Sequence, residues 1–70
     1  MRRVRIVERD SSVRQMISRY ATSKGYEVSE AEEAPEGFSL LFVEVDKIRR
    51  SVSLRKPFGV EELRSALRAG

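Results

Sequence analysis

The chain has 70 residues, 36% of them charged, with a formal net charge of +3 and neither Cys nor His. That composition excludes a disulfide staple, a thiolate cluster and a His-based zinc site, and its length allows one small domain (residues 1–70) that buries a smaller share of its surface than a larger one. No apolar run reaches the length of a membrane span, and Met1 to Glu8 lacks the long apolar stretch of a signal peptide, so a cytoplasmic protein without membrane association is expected.

In chain order, Arg3 to Glu8 reads as a strand with Val4 and Ile6 on one face and Arg3 and Arg5 on the other. Asp10 to Lys24 follows as a helix. Its apolar residues Val13, Met16, Ile17, Tyr20 and Ala21 form one stripe, Ser12 with Gln15 fits a capping box, and Gly25 stands where a left-handed cap belongs. Tyr26 to Ala31 alternates as a second strand, with Tyr26 and Val28 opposite Glu27 and Ser29. The most apolar run, Phe38 to Val45, is the expected central strand. Ser51 to Lys56 alternates through Val52 and Leu54 as a fourth strand. Finally, Val60 to Ala69 forms a helix between Gly59 and Gly70, directing Val60, Leu63, Ala66 and Leu67 at the sheet.

Charge is segregated along this order. From Gly25 to Asp46 there are seven acidic residues (Glu27, Glu30, Glu32, Glu33, Glu36, Glu44, Asp46) and no basic one. Lys47, Arg49, Arg50, Arg55 and Lys56 follow with no acid among them, and Arg2, Arg3 and Arg5 open the chain. Such a pattern can pair strands within one chain, pair two copies, or draw a polyanion to the basic side.

Val4-Arg5-Ile6-Val7-Glu8-Arg9-Asp10 leading into a helix, and Lys56-Pro57-Phe58 followed by Glu61-Glu62-Leu63, resemble the first and last motifs of a response-regulator receiver domain. Lys24-Gly25-Tyr26-Glu27-Val28 is similar to the family's approach to its second strand, and Leu40 to Val45 to its third. The match covers most of this chain and about half of the family's domain. The resemblance implies a reduced receiver-like, flavodoxin-like α/β fold and a phosphorylation pocket whose remnants are Glu8, Arg9, Asp10, Glu44 and Lys56. Phosphoryl transfer there needs an acidic cation site, an acceptor Asp, a hydroxyl residue ending the fourth strand, and the Lys. In this sequence Arg9 separates the two acids, Glu44 stands at the acceptor position, and the segment carrying the hydroxyl is missing. An Arg in the pocket repels a divalent cation, so neither phosphorylation, nor a metal site, nor a cofactor is expected. Read without the family, Glu8, Arg9 and Asp10 are a helix N-terminus with an ordinary ion pair.

The links Glu32 to Gly37 and Asp46 to Arg50 are hairpin length, whereas parallel neighbours need a crossover of about a dozen residues. The expectation is therefore a small two-layer α/β domain: a four-stranded mixed sheet, strand three antiparallel to strands two and four, and both helices on one face. Glu44 then lies away from Lys56. Domain swapping, with strand three parallel to strand one and a neighbouring chain supplying a strand, is the alternative that would preserve receiver geometry.

One sheet face is left without a helix. Arg3, Arg5, Glu27, Ser29, Ser53 and Arg55 alternate onto it and Leu40 and Phe42 interrupt its polarity, unless Ile48 covers them. The expected function is a non-catalytic signalling module acting through this surface as a homodimer or with a signalling protein partner. A basic nucleic-acid binder using the Arg-rich N-terminus and Lys47 to Lys56 is the alternative, disfavoured because no reading helix or stacking motif is recognisable. An enzyme is disfavoured further, since the chain has no glycine-rich phosphate loop.

Overall fold

The computed structural model describes residues 1–68, so the expected helical Ala69 and the cap at Gly70 lie outside the described residues. The order is β1 (Arg2–Val7), α1 (Ser11–Ser23), β2 (Glu27–Ala31), β3 (Phe38–Val45), β4 (Ile48–Arg55) and α2 (Val60–Leu67). The strands form one mixed sheet in the order β2-β1-β3-β4, with β1 parallel to β2, β3 antiparallel to β1, and β4 antiparallel to β3.

The crossover between the parallel pair is α1. Asp10 caps it, its carboxylate accepting from the Ser12 N–H at 2.8 Å and the Val13 N–H at 3.3 Å. The expected capping box at Ser12 and Gln15 is therefore displaced: Asp10 reaches the first free N–H groups, and its charge suits the positive end of the helix. Gly25, at φ +87°, ends the helix in the left-handed region. In α2, Glu62 accepts the Gly59 N–H at 3.0 Å.

Both helices cover the same face. Val4, Ile6, Leu41, Val43 and Leu54 from the sheet form one buried cluster with Ile17 and Ala21 of α1 and Leu63, Ala66 and Leu67 of α2. Two residues expected at this interface face solvent instead, Met16 and Val60. They lie at the margins of stripes that are wider than the contact each helix makes.

The expected pairing of β3 with β2 is not made. β3 lies against β1 with Val4 opposite Val43 and Ile6 opposite Leu41. The six-residue link can step across the end of β1, since two strand spacings amount to only about 10 Å. Packing favours the step. It makes central the two strands that bury the most apolar side chains, β1 through Val4, Ile6 and Val7 and β3 through Leu41 and Val43, and leaves β2 and β4 as edges, where Glu27, Glu30, Arg49, Arg50 and Arg55 discourage further pairing. All four strands belong to one chain and β3 is antiparallel to β1, so no swapped strand is needed. β4 begins at Ile48, earlier than expected, because a tight turn with Asp46 at φ +56° closes the hairpin directly after Val45.

Candidate functional site

Two places gather the residues singled out from sequence, and they lie on opposite faces of the sheet. The first is at the carboxyl end of β1. The Glu8 side chain is fully buried; one carboxylate oxygen accepts from Lys56 Nζ at 2.6 Å and from the Asp10 N–H at 2.7 Å, the other from the Ser39 hydroxyl. Strand geometry brings these groups together: β3 runs antiparallel to β1, so its first residues reach Glu8, while Lys56 follows the end of β4 and donates its own N–H to Gly37 at 2.8 Å. Burial pushes the Glu8 carboxyl up, but the Lys56 ammonium, the Ser39 hydroxyl and the Asp10 N–H together outweigh it and hold the group below the ordinary glutamate value. Both carboxylate oxygens are satisfied by the protein.

Two residues that the receiver resemblance places in the pocket, Glu44 and Arg9, lie outside this cluster, Glu44 as the hairpin-length links implied. Glu44 is at the opposite end of β3, beside Arg49 at 3.9 Å, because an antiparallel strand carries its last residues away from the carboxyl end of β1. Arg9 does not enter the cluster; it is exposed in the bend before α1. Asp10 is near, but its carboxylate is engaged in capping. Ser39 was missed. Its signal was present, since positions 39, 41, 43 and 45 share the helix-covered side of β3 and Ser39 is the polar member of that set. Arg14 was missed as well: it donates to the Glu8 carbonyl at 2.7 Å and pairs with Glu30 at 3.2 Å, fixing the N-terminus of α1 to the strand ends. Among the described residues no group of three His, Cys, Asp or Glu side chains is arranged to hold a metal ion.

The second place is the open face. Strand register lays its side chains in transverse rows: Glu27, Arg3, Glu44 and Arg49; then Ser29, Arg5, Phe42 and Ser51; then Ala31, Val7, Leu40 and Ser53; and last Phe38 with Arg55. All eight residues expected there, Arg3, Arg5, Glu27, Ser29, Leu40, Phe42, Ser53 and Arg55, fall on this face. Phe42 is 45% and Phe38 37% exposed, whereas Leu40 is half-buried beside Val7. The first two rows line a shallow depression of about 550 Å³. Ile48 does not cover it: it lies opposite Val45, on the helix-bearing side of the sheet, and is itself exposed.

Within the first row Arg3 pairs with Glu27 at 3.5 Å and Arg49 with Glu44 at 3.9 Å, both exposed contacts of modest strength. The surface thus combines a charged, self-paired end, an aromatic centre and an apolar far end. No helix among the described residues is long and apolar enough to cross a membrane. Comparison with family models, with curated proteins and with solved structures gives no match for this chain.

Proposed function

We propose that the chain is a non-catalytic protein-interaction module of signalling type, a reduced relative of receiver domains that works through its open sheet face without phosphorylation. The observation that carries this reading is Phe42, 45% exposed in the middle of a sheet face that neither helix among the described residues covers, with Arg3 and Arg5 of β1, Glu44 of β3 and Arg49 of β4 around it. An aromatic centre with a charged rim is the composition of a pairing surface. Support for the non-catalytic part comes from the Glu8 cluster. Its Lys faces a buried, fully bonded Glu, and Glu44 points away from it at the other end of the sheet.

Light scattering on the wild type and Phe42→Glu tests the reading. Burying what remains exposed of Phe42 is worth roughly 1 kcal/mol per copy, so association is expected to rise with protein concentration and to be lost in the variant. Phe42 is also a little over half buried within the monomer, so its replacement is expected to cost about 1 kcal/mol of folding stability as well, and circular dichroism on both proteins checks that each is folded when association is compared. Unchanged association in Phe42→Glu would move the interaction to another surface. Incubation with acetyl phosphate followed by mass spectrometry is expected to leave the mass unaltered; a stable adduct on Glu8, Glu44 or Asp46 would restore a phosphorylation role.

A further inference from the structure

The open face is complementary to itself in one orientation only. Reading across β2, β1, β3 and β4, the charged row Glu27, Arg3, Glu44, Arg49 alternates negative, positive, negative, positive. Reversing its order inverts every sign. A two-fold axis running parallel to the strands, between β1 and β3, performs that reversal when two copies stack face to face. Glu27 of one copy then meets Arg49 of the other, and Arg3 meets Glu44. In the next row the same axis sets Arg5 over the Phe42 ring, a cation–π arrangement made twice, and in the third it sets Val7 over Leu40. A two-fold axis across the strands instead superposes each position of a central row on itself and sets like charges together.

We infer that the occupant of the open face is a second copy of this chain, held in an isologous dimer whose two-fold axis runs along the strands between β1 and β3. The inference rests on the open face being the interaction surface. It adds the partner and the orientation. Charge complementarity selects both: every charged side chain of the first row acquires an opposite one, and aligned stacking of two sheets is an ordinary packing mode. The body measures 30 × 20 × 20 Å, so the face offers on the order of 500 Å² per copy, about the lower limit for a specific interface. The dimer is accordingly weak, concentration-dependent and salt-sensitive.

Because the chain has no Cys, single thiols report the orientation without background. Ser29→Cys and Ser51→Cys sit at the two ends of the central row, both exposed. Under the proposed axis position 29 faces position 51 of the other copy across about 10 Å, while 29 to 29 is roughly 17 Å. A short bismaleimide is expected to cross-link an equimolar mixture of the two variants several-fold more than either alone. In a second arm Arg49→Glu and Glu27→Arg are each expected to weaken self-association at least tenfold, and to pair with each other when mixed. Preferential cross-linking within single variants would overturn the inference by showing the transverse axis. A dimer in light scattering that no pair cross-links, or a mass that grows beyond the dimer through edge strands, would overturn it and leave the interaction reading standing. A monomer at every accessible concentration would overturn it also; if that monomer bound poly-dT through Phe42, the face would be a nucleic-acid platform and the interaction reading would fall with it.

Discussion

Lys56→Met is expected to remove much of the folding stability at neutral pH, and the double variant Glu8→Gln/Lys56→Met to recover a large part of it. The single variant leaves the Glu8 carboxylate, whose side chain is 0% exposed, without its ammonium partner. Breaking a buried pair from one side costs about 3–5 kcal/mol, and the lower end applies here because the Lys56 side chain is 28% exposed and Glu8 keeps its bonds from Ser39 and the Asp10 N–H. A domain of this length has roughly 3.5–10 kcal/mol in total, at about 0.05–0.15 kcal/mol per residue. Removing the charge from both sides leaves polar groups that can still bond to one another. Urea denaturation of the two variants decides this, and a single variant within about 0.5 kcal/mol of wild type would show that the pair is an ordinary surface contact.

The pH dependence supplies an independent sign. In the wild type the folded-state pKa of Glu8 is depressed. Its contribution to stability is therefore full above the unfolded value, about 4.3, and is lost as pH falls through the lower folded value. In Lys56→Met the lowering by the ammonium is gone, and burial is opposed only by the Ser39 hydroxyl and the Asp10 N–H. The folded value therefore moves upward from its wild-type position, and the variant should lose less stability on acidification than the wild type does.

Much of the fold was legible because its signals are local. The stripe through Ile17 and Ala21 and the alternation through Val4 and Ile6 each state which side of an element is buried, and burial follows them, while the apolar run from Phe38 to Val45 marks a strand without choosing its side. Neighbour choice was not legible. The Glu32 to Gly37 link has the length of a hairpin, but length sets only how far a link can reach; β3 lies beside β1 because that arrangement centres the two strands that bury the most apolar side chains. The same error of adjacency hid Ser39 from the site. Its partner Glu8 is 31 positions away, and only the antiparallel β1–β3 register connects them. The open face was read in outline through Arg3, Arg5, Glu27, Ser29, Leu40, Phe42, Ser53 and Arg55, but the alternating row also needed Glu44 and Arg49, and a register that aligns all four charges, which no one-dimensional pattern supplies. Met16 and Val60 mark the opposite failing: periodicity gives the apolar side of a helix, not how wide a contact the neighbouring sheet provides.

The second large effect is expected at Ile6→Ala. Ile6 is 0% exposed in a central strand, opposite Glu30 of β2 and Leu41 of β3, and belongs to the cluster that holds both helices. Truncating a buried Ile removes transfer free energy and leaves a cavity, together about 2–5 kcal/mol. The upper half of that range is expected, because a rigid central strand with neighbours on both sides cannot close around the lost atoms as an edge strand can. Val60→Ala removes a related side chain that is 55% exposed, and a change within about 0.5 kcal/mol is expected there. Thermal unfolding followed by far-UV and near-UV circular dichroism compares them. In Ile6→Ala both signals should fall together at a lower temperature, since α1 and α2 rest on the same few sheet residues and neither has a separate core to retain. If the helical signal of Ile6→Ala survived the loss of tertiary signal, the two helices would be stabilised independently of β1, and the single cluster through Val4, Ile6 and Leu41 would not be what holds the layers together.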